Sequence, residues 1–185
     1  MKITFSPLRA LFGGLLLLLG TYAVAADTAA ELDRDVDNAY QKLMSSSPAA
    51  QDLAKVSKGV LVFPSIVKAG LVVGGQYGKG ALRVGGKTKG YYNTAAASFG
   101  LQAGAQSFGY AMFFMTKDAL KYLEKSDGWE VGVGPTLVVV DEGVARSLTT
   151  TSAKEDIYVF FFDQKGLMAG LGIQGSKITK ITMDK

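Results

Sequence analysis

Glycine set inside β-prone runs is the feature that most restricts this chain. From Val60 onward, short apolar and aromatic stretches are broken by glycines at Gly70, Gly74, Gly75, Gly78 and Gly80, at Gly100 and Gly104, at Gly132 and Gly134, and at Gly170 and Gly172. A glycine within a strand packs no side chain and marks a bulge, a sharp bend or a close approach of neighbouring atoms. A flat, evenly pleated sheet has no use for so many. The pattern predicts a strongly curled antiparallel sheet or a partial barrel.

Helices frame that sheet. Thr28-Ala29-Ala30-Glu31 is a capping-box pattern, and Leu32, Val36, Ala39, Tyr40 and Leu43 follow at helical spacing, which predicts a helix over 28–44. Ser47 as cap and Pro48 at the first helical position open a second, shorter helix that stops near Gly59. Strands are expected at Val60–Phe63, Leu71–Tyr77, Ala81–Val84, Tyr91–Leu101 and Tyr110–Met115, with Gly85-Gly86 as a hairpin turn or a strand end. Thr116-Lys117-Asp118 starts a central helix that runs through Leu123 and stops before Gly128. Strands resume at Val131–Val133, Thr136–Val140, Ile157–Phe162 and Leu167–Ile173, with Asp163–Gly166 as a turn. Leu137–Val140 and Val159–Phe162 are apolar on both faces, so both faces of the sheet need cover. The fold class expected is α+β, with two N-terminal helices and one central helix on a curled glycine-rich sheet.

The first 25 residues are of another kind. Lys2 and Arg9, an apolar run over Leu11–Gly20 and the small residues Ala23-Val24-Ala25 make the pattern of a secretory signal peptide, cleaved after Ala25. A membrane anchor needs about 20 apolar residues, and this run decays through Thr21 and Tyr22 into Asp27. The expected product is one domain, residues 26–185, in the periplasm or at the envelope. Cysteine is absent, which excludes disulfides, thiolate metal sites and an acylated-cysteine anchor. Histidine is absent too, which removes the commonest general base and metal ligand. No catalytic residue, metal or cofactor is expected.

Three motifs invite chemistry and lack its context. Gly170-Leu171-Gly172-Ile173-Gln174-Gly175 spells the dinucleotide fingerprint, but ten residues remain after it, too few for the helix and the acidic residue such a site requires. Ser65-Ile66-Val67-Lys68 has the serine and lysine spacing of penicillin-binding enzymes, without the companion motifs. The pairs Asp141-Glu142 and Glu155-Asp156 are expected in solvated turns.

Charge is more informative. Residues 26–52 hold six acids against two bases; residues 53–116 hold seven bases (Lys55, Lys58, Lys68, Lys79, Arg83, Lys87, Lys89) and no acid; the rest is nearly balanced. A block of 64 residues without one carboxylate suits a face that meets phosphate or another anion. The plainer alternative is that these lysines keep strand edges soluble. Nucleic acid is a poorer partner than lipid, because the mature net charge is small and export removes the chain from cytoplasmic nucleic acid.

Lys58-Gly59-Val60-Leu61-Val62-Phe63-Pro64-Ser65-Ile66-Val67-Lys68-Ala69-Gly70, then Val73–Gly80, Ser98–Ser107 and Lys165–Gly170, resemble the SYLF domain family over roughly residues 30–182. The resemblance implies non-enzymatic binding of phosphoinositides or other anionic lipids, here an anionic phospholipid membrane, through Lys58 and Lys68 and with Lys79. Arg83, Lys87 and Lys89 of the same acid-free block complete the expected lipid-binding set. Some family members bind actin, which an exported chain of the bacterial type would not meet. The family's membrane-inserting N-terminal helix is expected to pack on the sheet here, because Glu31, Asp33, Asp35 and Asp37 would be repelled by an anionic bilayer. Phe63, Ile66, Tyr91 and Tyr92 are the expected apolar contacts. The alternative is an envelope structural or protein-interaction module whose basic face meets an acidic protein or polysaccharide.

Overall fold

The computed structural model describes residues 28–70, 73–99, 104–166, 173 and 175–184. The expected export signal with its Ala25–Ala26 cleavage site and the expected strand through 167–172 lie outside them. In chain order the elements are α1 (Ala29–Ser46), α2 (Pro48–Val56), β1 (Gly59–Gly70), β2 (Val73–Val84), β3 (Lys87–Phe99), β4 (Gly104–Phe114), α3 (Lys117–Lys125), β5 (Trp129–Glu130), β6 (Leu137–Val139), α4 (Glu142–Ser147), β7 (Ile157–Gly166) and β8 (Lys177–Ile181). The strands form one sheet in the order β5-β8-β3-β2-β1-β4-β7-β6. It curls into a half-barrel, as the glycines predict, and every neighbouring pair is antiparallel except β6 and β7.

Each helix starts where a side chain satisfies its free N–H groups. Thr28 and Glu31 close a reciprocal capping box on α1, Ser47 caps α2 with Pro48 behind it, and Thr116 and Asp141 cap α3 and α4. The far end of the chain returns to the first cap, since Ala29 N–H donates to the carbonyl of Asp184 at 2.9 Å.

Both faces of the sheet are covered, as the doubly apolar runs require. On the inner face Leu61, Phe63, Leu82, Tyr110, Met112, Phe114 and Ile157 pack with Ala119 and Leu123 of α3 and with Trp129. On the outer face Leu32, Val36, Ala39 and Leu43 of α1, with Leu53 of α2, cover Val60, Val62, Ala81 and Phe113. Burying such side chains is worth about 1.5–3 kcal/mol each, so the acidic helix is a structural layer of the domain.

Two glycine sites show why the pattern was needed. Gly85 and Gly86 both take positive φ, 57° and 76°, which is the geometry of the tight two-residue turn joining β2 to β3. At Gly80 an added Cβ would lie 2.4 Å from the Val62 carbonyl oxygen and 2.7 Å from the Phe63 ring. The glycine is the space into which that ring folds.

The strands run longer than the sequence suggests. β1 continues through Pro64 and Ser65, where the register with both neighbours shifts; proline has no N–H to donate and sits where the ladder is interrupted. Ser65 and Lys68 therefore lie on a strand, not on a helical turn. Gly78-Lys79-Gly80 joins two expected strands into one β2. β7 runs through the expected turn at 163–166, with Asp163 at φ 53° in an irregular step of the ladder. Val131–Val133 is a turn, and its strand role passes to Trp129–Glu130. α4 and β8 were not expected: α4 begins at the carboxylate pair Asp141-Glu142, and β8 follows Gly175 where a dinucleotide site would have placed a helix.

Candidate functional site

The acid-free block is the middle of the sheet, since it supplies the four adjacent strands β3-β2-β1-β4. Its cations do not form one patch. They divide between the end of the sheet bearing the Gly85-Gly86 turn and the opposite end, where Gly70 pairs with Gly74 and with Gly104.

At the turn end α1 brings its acids onto the sheet. An amino group of the Arg83 guanidinium lies 2.7 Å from the Asp37 carboxylate and 3.4 Å from that of Asp33, and donates to the Asp33 carbonyl at 3.0 Å. Thr88 and Tyr91 donate their hydroxyls to the two carboxylate oxygens of Asp33, at 2.8 and 3.1 Å. Burial, and secondarily this bond to Asp33, pushes the Tyr91 hydroxyl pKa up. Arg83 is thus a clamp that fastens α1 and not an exposed cation. Lys58 is exposed and donates to the Val56 carbonyl at 3.1 Å; it borders a shallow pocket together with Asp37 and Arg83. Lys87 and Lys89 are exposed beside the turn.

At the opposite end the two faces differ. Lys68 is half-buried on the inner face, between Gln76 of β2 and Gln106 of β4. Gln76 donates to the Ser176 hydroxyl at 2.9 Å in a buried pair. Both amide atoms of Gln106 are buried there with no hydrogen-bond partner among the described residues, and burial raises the Tyr110 pKa beyond its ordinary range, opposed by the neighbouring Thr94 hydroxyl.

The outer face is different, because α1 ends its cover near Ser65. Past it, Tyr77 of β2 stands opposite Val67 of β1 and Ala95 of β3. Ala95 stands opposite Lys177 of β8; Val67 stands opposite Ser107 of β4, which faces Lys165 of β7. Directly opposed residues of antiparallel strands share a face, so this row crosses six strands with a lysine at each end. Val67 is 56% exposed, Tyr77 47% and, two pairs further along β2, Val73 61%.

The expected apolar contacts are corrected. Phe63 and Ile66 are fully buried and Tyr92 is 1% exposed, all in the inner core, while Tyr91 is half-buried and bonded to Asp33. Asp156 does not sit loose in a solvated turn: it accepts from the hydroxyls of Thr116 and Thr136 and from the Thr136 N–H at 2.8–3.2 Å, which holds its carboxyl below the usual range. Lys165 and Lys177 lie outside the acid-free block, and strand register alone joins them to it.

Among the described residues no cluster of three or more acids forms a metal site, and no helix is long and apolar enough to cross a membrane. No curated protein matches the chain. A family model does, that of Ysc84, described as Las17-binding protein actin regulator, over residues 95–183, from the middle of β3 to beyond β8. This is a family defined by what it binds, and its matched stretch contains both lysines that end the outer row. Residues 95–183 thus match the Ysc84 (SYLF) domain model, in agreement with the SYLF resemblance of the sequence motifs.

Proposed function

We propose that the protein is exported to the cell envelope and there binds anionic phospholipid, without catalysing a reaction. The observation that carries this reading is that the four central strands bear no carboxylate, while the acids α1 lays on them at the turn end are engaged with Arg83, Thr88 and Tyr91. What remains accessible on these strands is basic, apolar or uncharged. A phosphate-rich surface is the natural complement, since each basic side chain near an anionic bilayer is worth about 1 kcal/mol. The match of residues 95–183 to a family model named for binding supports it, and the N-terminal export pattern supports a lipid of the envelope.

Flotation tests it. Protein recovered from the envelope, with a mass matching a chain that starts at Ala26, should float with phosphatidylglycerol-containing vesicles and stay behind with pure phosphatidylcholine. Binding should fall severalfold between low and physiological salt, as the Debye length shrinks toward about 8 Å. Equal flotation with both vesicles, or none with either, would favour the alternative of a basic face that meets an acidic envelope protein or polysaccharide.

A further inference from the structure

The lipid-binding reading does not say which surface meets the bilayer, and the cations of the acid-free block are divided between the two ends of the sheet. We propose that the docking surface is the uncovered outer end, centred on Tyr77 and Val67 with Lys165 and Lys177 at its sides, and that its occupant is the headgroup layer of an anionic phospholipid bilayer. This rests on the function proposed above and assigns its site.

Exposure comes first. α1 shields the outer face as far as Ser65, and the next row presents Val67 at 56% and Tyr77 at 47%, with Val73 at 61% beyond. Single exposed apolar residues are ordinary; neighbours on one face, separated by exposed Ala69 and Gly75, make a patch that asks for a partner. Tyrosine suits an interface, with an apolar ring and a hydroxyl that stays among headgroups. A lysine lays its stem along apolar surface and puts its ammonium into the phosphate layer, and the row has one at each end.

Charge decides what the partner is. The row contains no carboxylate, nor does the preceding row of Thr179, Asn93, Lys79 and Ser65. Asp163, the acid on β7 nearest Lys165, is paired with Lys42 of α1. Among the described residues the carboxylates at the margin are Glu130 of the edge strand β5, opposite Lys177, and Asp35 of α1, which lies beside Ser65 with the paired Asp163. A second copy of this chain would set lysines against lysines, which disfavours self-association through this face. Ala69, Gly75 and Ala95 beside Val67 and Tyr77 are small and exposed, so among the described residues the two larger side chains stand out from their neighbours. A basic-rimmed, apolar surface fits a bilayer.

The test compares the two ends in the full exported protein on phosphatidylglycerol vesicles, with circular dichroism on each variant. Lys165→Glu with Lys177→Glu should weaken binding by about fivefold per lysine or more. Val67→Ser with Tyr77→Ser should weaken it at least about tenfold by removing the apolar contact. Lys87→Glu with Lys89→Glu, at the turn end, should cost less than either. Tyr77→Trp supplies an independent readout, because Trp129 is buried: its emission should shift to the blue on adding anionic vesicles, whereas Lys87→Trp should not shift. Vesicle binding by the parent together with a larger loss for the turn-end pair, or with a shift at position 87 and none at 77, overturns the docking surface and leaves lipid binding standing. Failure of the parent to bind overturns both.

Discussion

At the residue scale, side chains that look alike in sequence do opposite work. Arg83 and Lys87 are neighbours in one basic block, yet Arg83 is held between two carboxylates and Lys87 is exposed. Nothing within the block separates them, because the acids that claim Arg83 lie about fifty positions upstream on another element. Glycine was more legible, though which glycines are tight was not. Gly80→Ala should destabilise the fold by about 3 kcal/mol, since its Cβ meets backbone as well as the Phe63 ring. Gly86→Asn should stay within about 1 kcal/mol, because asparagine tolerates positive φ and the site is open; urea unfolding measures both. Asp156 supplies a pH dependence. Its carboxyl is held below its ordinary value near 3.8, so its stabilisation is present above that value and is lost as pH falls through the depressed one. Asp156→Asn should therefore be less stable than the parent at neutral pH, and the gap should narrow in acid-range unfolding curves.

At the element scale, the helix starts were readable and the strand ends were not. Thr28, Ser47 and Thr116 announce their helices because a cap is a local event, one side chain meeting an N–H three residues on. Strands are settled between segments far apart, and β1, β2 and β7 run through a proline, a Gly-Lys-Gly and an expected turn because their partners continue the ladder on either side. The docking of α1 has the same nonlocal origin. It predicts a measurable coupling: in a double-mutant cycle of Arg83→Gln with Asp37→Asn, thermal or urea unfolding should give an interaction of about 1 kcal/mol, at the upper end for exposed pairs because the Arg83 side chain is only 16% exposed. A coupling near zero would mean that the apolar stripe of α1 alone seats the helix.

At the scale of the whole molecule, the sequence anticipates the half-barrel and the layer of helices, while the binding surface depends on how the sheet is assembled. Lys165 and Lys177 come from a part of the chain with balanced charge, and only the order β8-β3-β2-β1-β4-β7 sets them at the two sides of the Tyr77 row. Phe63, Ile66 and Tyr92, which belong to the same acid-free block as the lysines, turn to the opposite face and fill the core. The bond between Ala29 and Asp184 adds a matter of orientation. α1 starts at the turn end, where Asp33 meets Arg83, and passes Ser65 on its way to Phe160 and Val140 at its far end. Its cap, Thr28, therefore lies at the pole remote from Tyr77. On the proposed reading, a domain moored in the bilayer by that pole would hold its Tyr77 face toward the aqueous side, so release from the mooring would have to come before that face could settle on lipid.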